Sequence, residues 1–280
     1  MHRFNTEKPP MIVVEFRSGD ITINTEDVDE TLVELSGRPN DSAAEELIAA
    51  TLVEQRGNTI YVKVPKRPRG LFGTTPALHL SITAPNSSNL AIRSASADVN
   101  VRGSLGTSKI DTGSGDVTVG HLDGAGRIRT GSGDVSADTI EAAYEIQTGS
   151  GDIEIGQATD QLRVQTGSGE VRVDSAGASA KLQTGSGGVA VGQAEEDVFA
   201  QTGSGDIRLS SVRRGRVKVQ AASGDIHVGV LNGTAAWLDV KTLTGRVASD
   251  LEQSGAPAED DQQVRLQLNT VSGDIAIVRA

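Results

Sequence analysis

The chain has 280 residues, 26 Lys plus Arg against 37 Asp plus Glu, and a formal charge of −11 at pH 7; that balance excludes a protein that grips duplex nucleic acid through a basic face. It has no Cys, which removes disulfide frameworks and thiolate metal sites. With one Trp, two Tyr and four Phe, its core must be built from small aliphatic side chains in thin layers. The first ten residues lack an apolar signal region and no stretch reaches the length of a membrane span, so a soluble cytoplasmic protein is expected.

From residue 11 the pattern becomes strand-like. Ile12, Val14 and Phe16 alternate with other residues, and Ser18-Gly19-Asp20-Ile21-Thr22-Ile23 completes what reads as the opening coil. Thr31 to Leu35, Thr59 to Val64 and Leu78 to Ala84 are further predicted strands. Between them Ser42-Ala43-Ala44-Glu45 has the form of a capping box, followed by Leu47, Ile48 and Leu52 at helical spacing and by Gly57 as a stop; one helix of about 14 residues is predicted, placed to cover an exposed end of the strand stack. Lys63, Lys66, Arg67 and Arg69 then lead into Gly70-Leu71-Phe72-Gly73, which joins basic charge to an apolar tip. Leu71 and Phe72 either tuck onto the flank of the fold or reach a protein groove or an anionic lipid surface.

A period of 18 residues dominates the rest. Ser96-Ala97-Asp98, Ser114-Gly115-Asp116, Ser132-Gly133-Asp134, Ser150-Gly151-Asp152, Ser168-Gly169-Glu170, Ser186-Gly187-Gly188 and Ser204-Gly205-Asp206 recur at that spacing, which then loosens through Ser223-Gly224-Asp225, Thr244-Gly245-Arg246 and Ser272-Gly273-Asp274. Around each corner apolar residues alternate, as in Val164, Thr166, Val171 and Val173, so each repeat is two short strands with one buried face, joined by a Gly-Ser-Gly turn. Antiparallel hairpins would leave many open edges. Stacking the repeats parallel pairs every backbone group with the next coil and lines up like residues about 4.8 Å apart. The predicted fold is therefore all-β, a single-chain parallel β-solenoid (β-helix) with 18-residue coils and one short N-terminal capping helix. Residues 1–91 form irregular N-terminal coils and 92–280 the regular repeats, in one continuous structural unit. Its handedness stays open.

The repeated words resemble the DUF4097 family of β-strand-repeat proteins, also described as putative adhesins or toastrack-type domains. The resemblance rests on Thr-Gly-Ser-Gly-Asp-Val/Ile at 18-residue spacing and on the opening at 18–23. It implies a β-helical bacterial scaffold or interaction module without catalytic residues, of a kind associated with envelope-stress systems.

Residue chemistry leads the same way. The acidic column from Asp98 through Asp116, Asp134, Asp152, Glu170, Asp206, Asp225 and Asp274 is read as turn chemistry, each carboxylate accepting from backbone N–H groups of its own corner; a row of divalent-cation sites is the competing reading. His2, His79, His121 and His227 lack metal spacing, and the six Gly-Ser-Gly corners lack the helix and converging His of a hydrolase elbow. No catalytic residue, cofactor or metal is expected. Arg208, Arg213, Arg214, Arg216 and Lys218 form an acid-free basic run, read as a solvated face or as the site of an anionic partner. At the C-terminus Ile275 and Ile277 lie in a final strand with nothing after it to blunt its edge, so self-association into a homo-oligomer is expected there. The alternative is that the acidic insertion, with Glu259-Asp260-Asp261, folds over that end. The function expected is a non-catalytic scaffold binding a protein partner or itself. A glycan- or cation-binding module is second and a carbohydrate-active enzyme third.

Overall fold

The computed structural model describes residues 1–65, 76–251 and 262–280. They form two compact units, Met1–Ala137 and Asp138–Ala280. Strands on either side of residue 91 pair directly within the first unit, Ser18–Glu26 with Ser96–Asp111.

The first unit contains β1 (His2–Asn5), β2 (Met11–Glu15), β3 (Ser18–Glu26), β4 (Glu30–Gly37), α1 (Ser42–Ala49), β5 (Leu52–Arg56), β6 (Thr59–Lys63), β7 (Leu78–Pro85), β8 (Ser88–Arg93), β9 (Ser96–Asp111), β10 (Val117–Leu122) and β11 (Gly126–Thr130). Its coils do not stack in chain order. β2 pairs in parallel with both β6 and β8, and β3 with both β7 and β9. The opening coil of the sequence is thus the second layer of the stack, and the later β6–β7 coil lies outside it. Beyond that layer pairing turns antiparallel, β4 against β7, β1 against β4 and β5 against β6. Parallel coils offer backbone groups to a further strand indefinitely, and antiparallel strands that belong to no coil bring the repeat to an end.

The helix is shorter than its sequence pattern. Asp41, not Ser42, is the N-cap, its Oδ1 accepting from the N–H groups of Ala43 and Ala44 at 3.0 and 3.1 Å. The helix stops at Ala49, and Leu52 belongs to β5, where Gly57 provides the positive φ of the β5–β6 turn rather than a helix stop. Strand pairing of residues 52–56 with 59–63 overrides the helical spacing of Leu52. Ala44 and Leu47 are the buried side chains of α1; a Cβ at Gly37 would approach that of Ala44 to 2.6 Å, so the helix lies tightly on the end of β4.

β12 (Val135–Ile140) carries the chain into the second unit, which contains β13 (Tyr144–Ser150), β14 (Ile153–Ala158), β15 (Leu162–Ser168), β16 (Val171–Ala176), β17 (Ala180–Ser186), β18 (Val189–Ala194), β19 (Val198–Ser204), β20 (Ile207–Val212), β21 (Gly215–Ser223), β22 (Ile226–Val230), β23 (Thr234–Thr244), β24 (Val247–Ser249), β25 (Gln262–Ser272) and β26 (Ile275–Arg279). Here the parallel solenoid follows the period of the sequence. Ile146, Val164, Leu182 and Ala200 form one buried column, and Ile153, Val171, Val189 and Ile207 another. Arg163, Arg172 and Arg208 alternate outward. A slip of one residue would turn each column out to water, at a cost of about 1.5–3 kcal/mol for each buried aliphatic side chain, which holds the register.

The second unit also departs from chain order. β25 pairs with β21 on one side and β23 on the other, and β26 with β22 and β24. The last coil of the sequence is inserted between two earlier ones, and β23–β24 is the outer layer.

Candidate functional site

The repeated polar residues are spent on joining coils. Thr166, Thr184 and Thr202 are buried, and each hydroxyl donates to a corner glycine carbonyl of the preceding coil: Gly151 at 3.2 Å, Gly169 at 3.0 Å and Gly187 at 2.9 Å. The corner itself must be glycine. At Gly187 φ is +144° and an added Cβ would come within 2.0 Å of the Gly169 carbonyl oxygen, so close coil-to-coil contact excludes a side chain as firmly as the backbone angle does.

The acidic column works across coils rather than within a corner. Asp98 Oδ1 accepts from the Asp116 N–H at 3.0 Å, Asp116 from Asp134 at 2.9 Å, Asp152 from Glu170 at 2.8 Å and Asp206 from Asp225 at 2.8 Å. The expectation that each carboxylate serves its own corner is corrected accordingly, because the next coil's amide lies directly over it. The same chain of bonds runs from Asp225 to Asp274 and from Asp274 to Arg246, an independent record of the exchanged coil order. Arg246 interrupts the acidic column where no described strand lies beyond it to require a carboxylate.

Three arginines of the basic run pair with acids in space. Arg213 Nε lies 2.8 Å from Glu195, an Arg214 guanidinium nitrogen 3.0 Å from Glu196 and one of Arg216 3.7 Å from Asp197. These acids stand one coil earlier, so a stretch without acids in sequence faces an acidic one in the stack; an offset of 18 or 19 residues was the signal. Lys218 lies over the Phe199 ring at 5.8 Å with Lys181 over the same ring at 5.3 Å. Arg208 is exposed, in register with Ala190 and His227. The structure therefore separates Arg208 and Lys218 from the ion-paired arginines. A ladder that sequence reading passed over, Gln147, Gln165, Gln183, Gln201 and Gln220, runs along the outer face in register, with Gln183 Nε2 donating to Gln201 Oε1 at 3.0 Å.

Lys66, Arg67, Arg69, Leu71 and Phe72 lie outside the described residues, as does the acidic run Glu259-Asp260-Asp261. Ile275 and Ile277 are not at an edge. Both are 1% exposed, in a strand paired on both sides; the inserted coil order is the reason. Among the described residues β23–β24 is an outer layer of the stack, where Trp237 is 58% exposed, Leu238 44%, Leu243 79% and Val247 50%. Among the described residues no group of three or more His, Cys, Asp or Glu side chains is arranged to hold a metal ion, and no helix is long and apolar enough to cross a membrane.

The family model for Toastrack DUF4097 matches residues 10–175 and, overlapping, 145–278. The chain belongs to the DUF4097 family. Among solved structures it is similar to a putative adhesin from Bacteroides fragilis NCTC 9343, with 14% identity, a TM-score of 0.45 and coverage of 99% of this chain and 95% of that one. It is similar also to a putative lipid binding protein from Parabacteroides distasonis ATCC 8503, with 12% identity, a TM-score of 0.43 and the same coverages. No curated protein matches the sequence. As a DUF4097 member the chain is a nearly all-β solenoid, with one short helix among the described residues.

Proposed function

We propose that this DUF4097 protein is a non-catalytic interaction scaffold for a protein partner. The observation that carries the reading is the use of the repeat's polar side chains. The hydroxyls of Thr166, Thr184 and Thr202 and the carboxylates of Asp116, Asp152 and Asp206 bond successive coils, and Arg213, Arg214 and Arg216 pair with acids of the coil before. These hydroxyls, carboxylates and guanidinium groups are engaged in holding a regular surface. What faces solvent is repetitive, with amides and three Arg–carboxylate pairs at coil spacing, suited to a broad partner surface rather than to a small molecule in a cleft.

Cross-linked pull-down from the native host tests this, with the intact chain beside a triple variant Gln165→Glu, Gln183→Glu, Gln201→Glu. The expected result is a defined protein partner retained by the former and lost by the latter, with both proteins folded. A polysaccharide-cleaving or group-transfer activity abolished by exchange of one acidic residue would overturn the reading.

A further inference from the structure

The outer layer of the second unit carries the inference. β23 has one strand neighbour, β25, among the described residues, and no described strand pairs with the N–H and C=O groups of its other edge. Leu238 and Val240 continue the buried columns of Leu266 and Leu268, yet Leu238 is 44% exposed and Val240 half-buried, because no described layer follows. On the outward face stand Trp237, Asp239, Lys241 and Leu243, with Asp239 and Lys241 bridged within the strand at 3.1 Å.

We propose that this edge pairs with the same edge of a second copy of the chain, antiparallel about a two-fold axis through Val240. The register follows from the residues. In an antiparallel pair the buried face of one strand must meet the buried face of the other, which requires the axis to pass through a residue rather than between two. An axis through Asp239 would set Asp239 against itself, and one through Lys241 would set two lysines together; both are disfavoured. An axis through Val240 places Asp239 opposite the second copy's Lys241 twice over, Trp237 opposite Leu243 twice, and Val240 on itself in the continued core. Facing and charge agree on this alignment. The inference rests on the interaction-scaffold reading and names this chain as one of the partners.

The test uses the full chain and its single tryptophan. Sedimentation and Trp237 emission are followed over a concentration series for the natural protein, for Asp239→Lys, for Lys241→Asp, for the double exchange, and for an equimolar mixture of the two single variants. The expected result is a dimer whose formation shifts Trp237 emission to the blue, weakened about tenfold in each single variant, where like charges now face each other twice. Both the double exchange and the mixture recover it. Recovery in the mixture is decisive, because there neither chain can rebuild its internal Asp–Lys bridge. A natural protein that stays monomeric, or a dimer indifferent to both single variants, overturns the proposal. A monomer that still captures its host partner leaves the scaffold reading standing; a dimer in a chain that captures no host protein supports self-pairing and removes the wider reading.

Discussion

Ile275 and Val247 occupy the same column, yet the stack treats them oppositely. If the coils followed chain order, Val247 would be the inner residue and Ile275 the terminal one. Instead Ile275 is 1% exposed between β22 and β24, and Val247 is 50% exposed. Truncating a fully buried isoleucine to alanine costs about 3 kcal/mol, from lost transfer and the cavity left behind. Removing two methyl groups from a half-exposed valine costs under about 1 kcal/mol. Solenoids open from their ends, so a global melt would blur the difference. Amide hydrogen exchange resolves it. The Ile226 N–H donates to the Asp274 carbonyl at 2.9 Å and is released only when β26 leaves β22. Ile275→Ala is expected to accelerate exchange at Ile226 about a hundredfold, and Val247→Ala less than about fivefold, by the conversion of about 1.4 kcal/mol per decade. Greater acceleration from Val247→Ala would refute the exchanged order and restore stacking in chain order.

Thr184→Val removes a buried donor from the Gly169 carbonyl while nearly preserving shape, and urea unfolding should show a loss of about 1–2 kcal/mol; Gln183→Val on the outer face should change stability by less than about 0.5 kcal/mol. Gly188 lacks the carboxylate found at this position in neighbouring coils, and a Cβ there would meet the Asp206 carbonyl at an ordinary 3.4 Å. Gly188→Asp should therefore raise Tm by about 2–4 °C, as expected for about 1 kcal/mol in a chain of this size; an unchanged or lower Tm would show that repulsion from Glu170 and Asp206 outweighs the added bond. Since the acidic column is engaged with backbone amides, millimolar calcium should shift Tm no more than magnesium at equal ionic strength, and a saturable calcium-specific rise would instead assign cation sites to it.

The repeat words determined the parallel pairing, the 18-residue register and the identity of the buried columns, because a half-buried strand declares its inner face at every second residue and a wrong register exposes all of it. Glycine at the corners was equally legible, although contact between coils requires it as much as the positive φ does. Tertiary structure alone decided the order of the layers. Ile21, Val99, Ile226 and Ile275 carry nearly the same words around them, so local pattern ranks their possible neighbours almost equally, and only the pairing of whole strands in the folded stack distinguishes them. The placement of Ile275 failed for that reason, and the helix over Leu52 because pairing with β6 outweighed spacing. The basic run at 208–218 shows the converse. The ion-pair partners of Arg213, Arg214 and Arg216, which are Glu195, Glu196 and Asp197, are distant in sequence and adjacent in space, since a solenoid makes neighbours of residues one coil apart; only the folded stack shows that three of the run's five basic residues face acids.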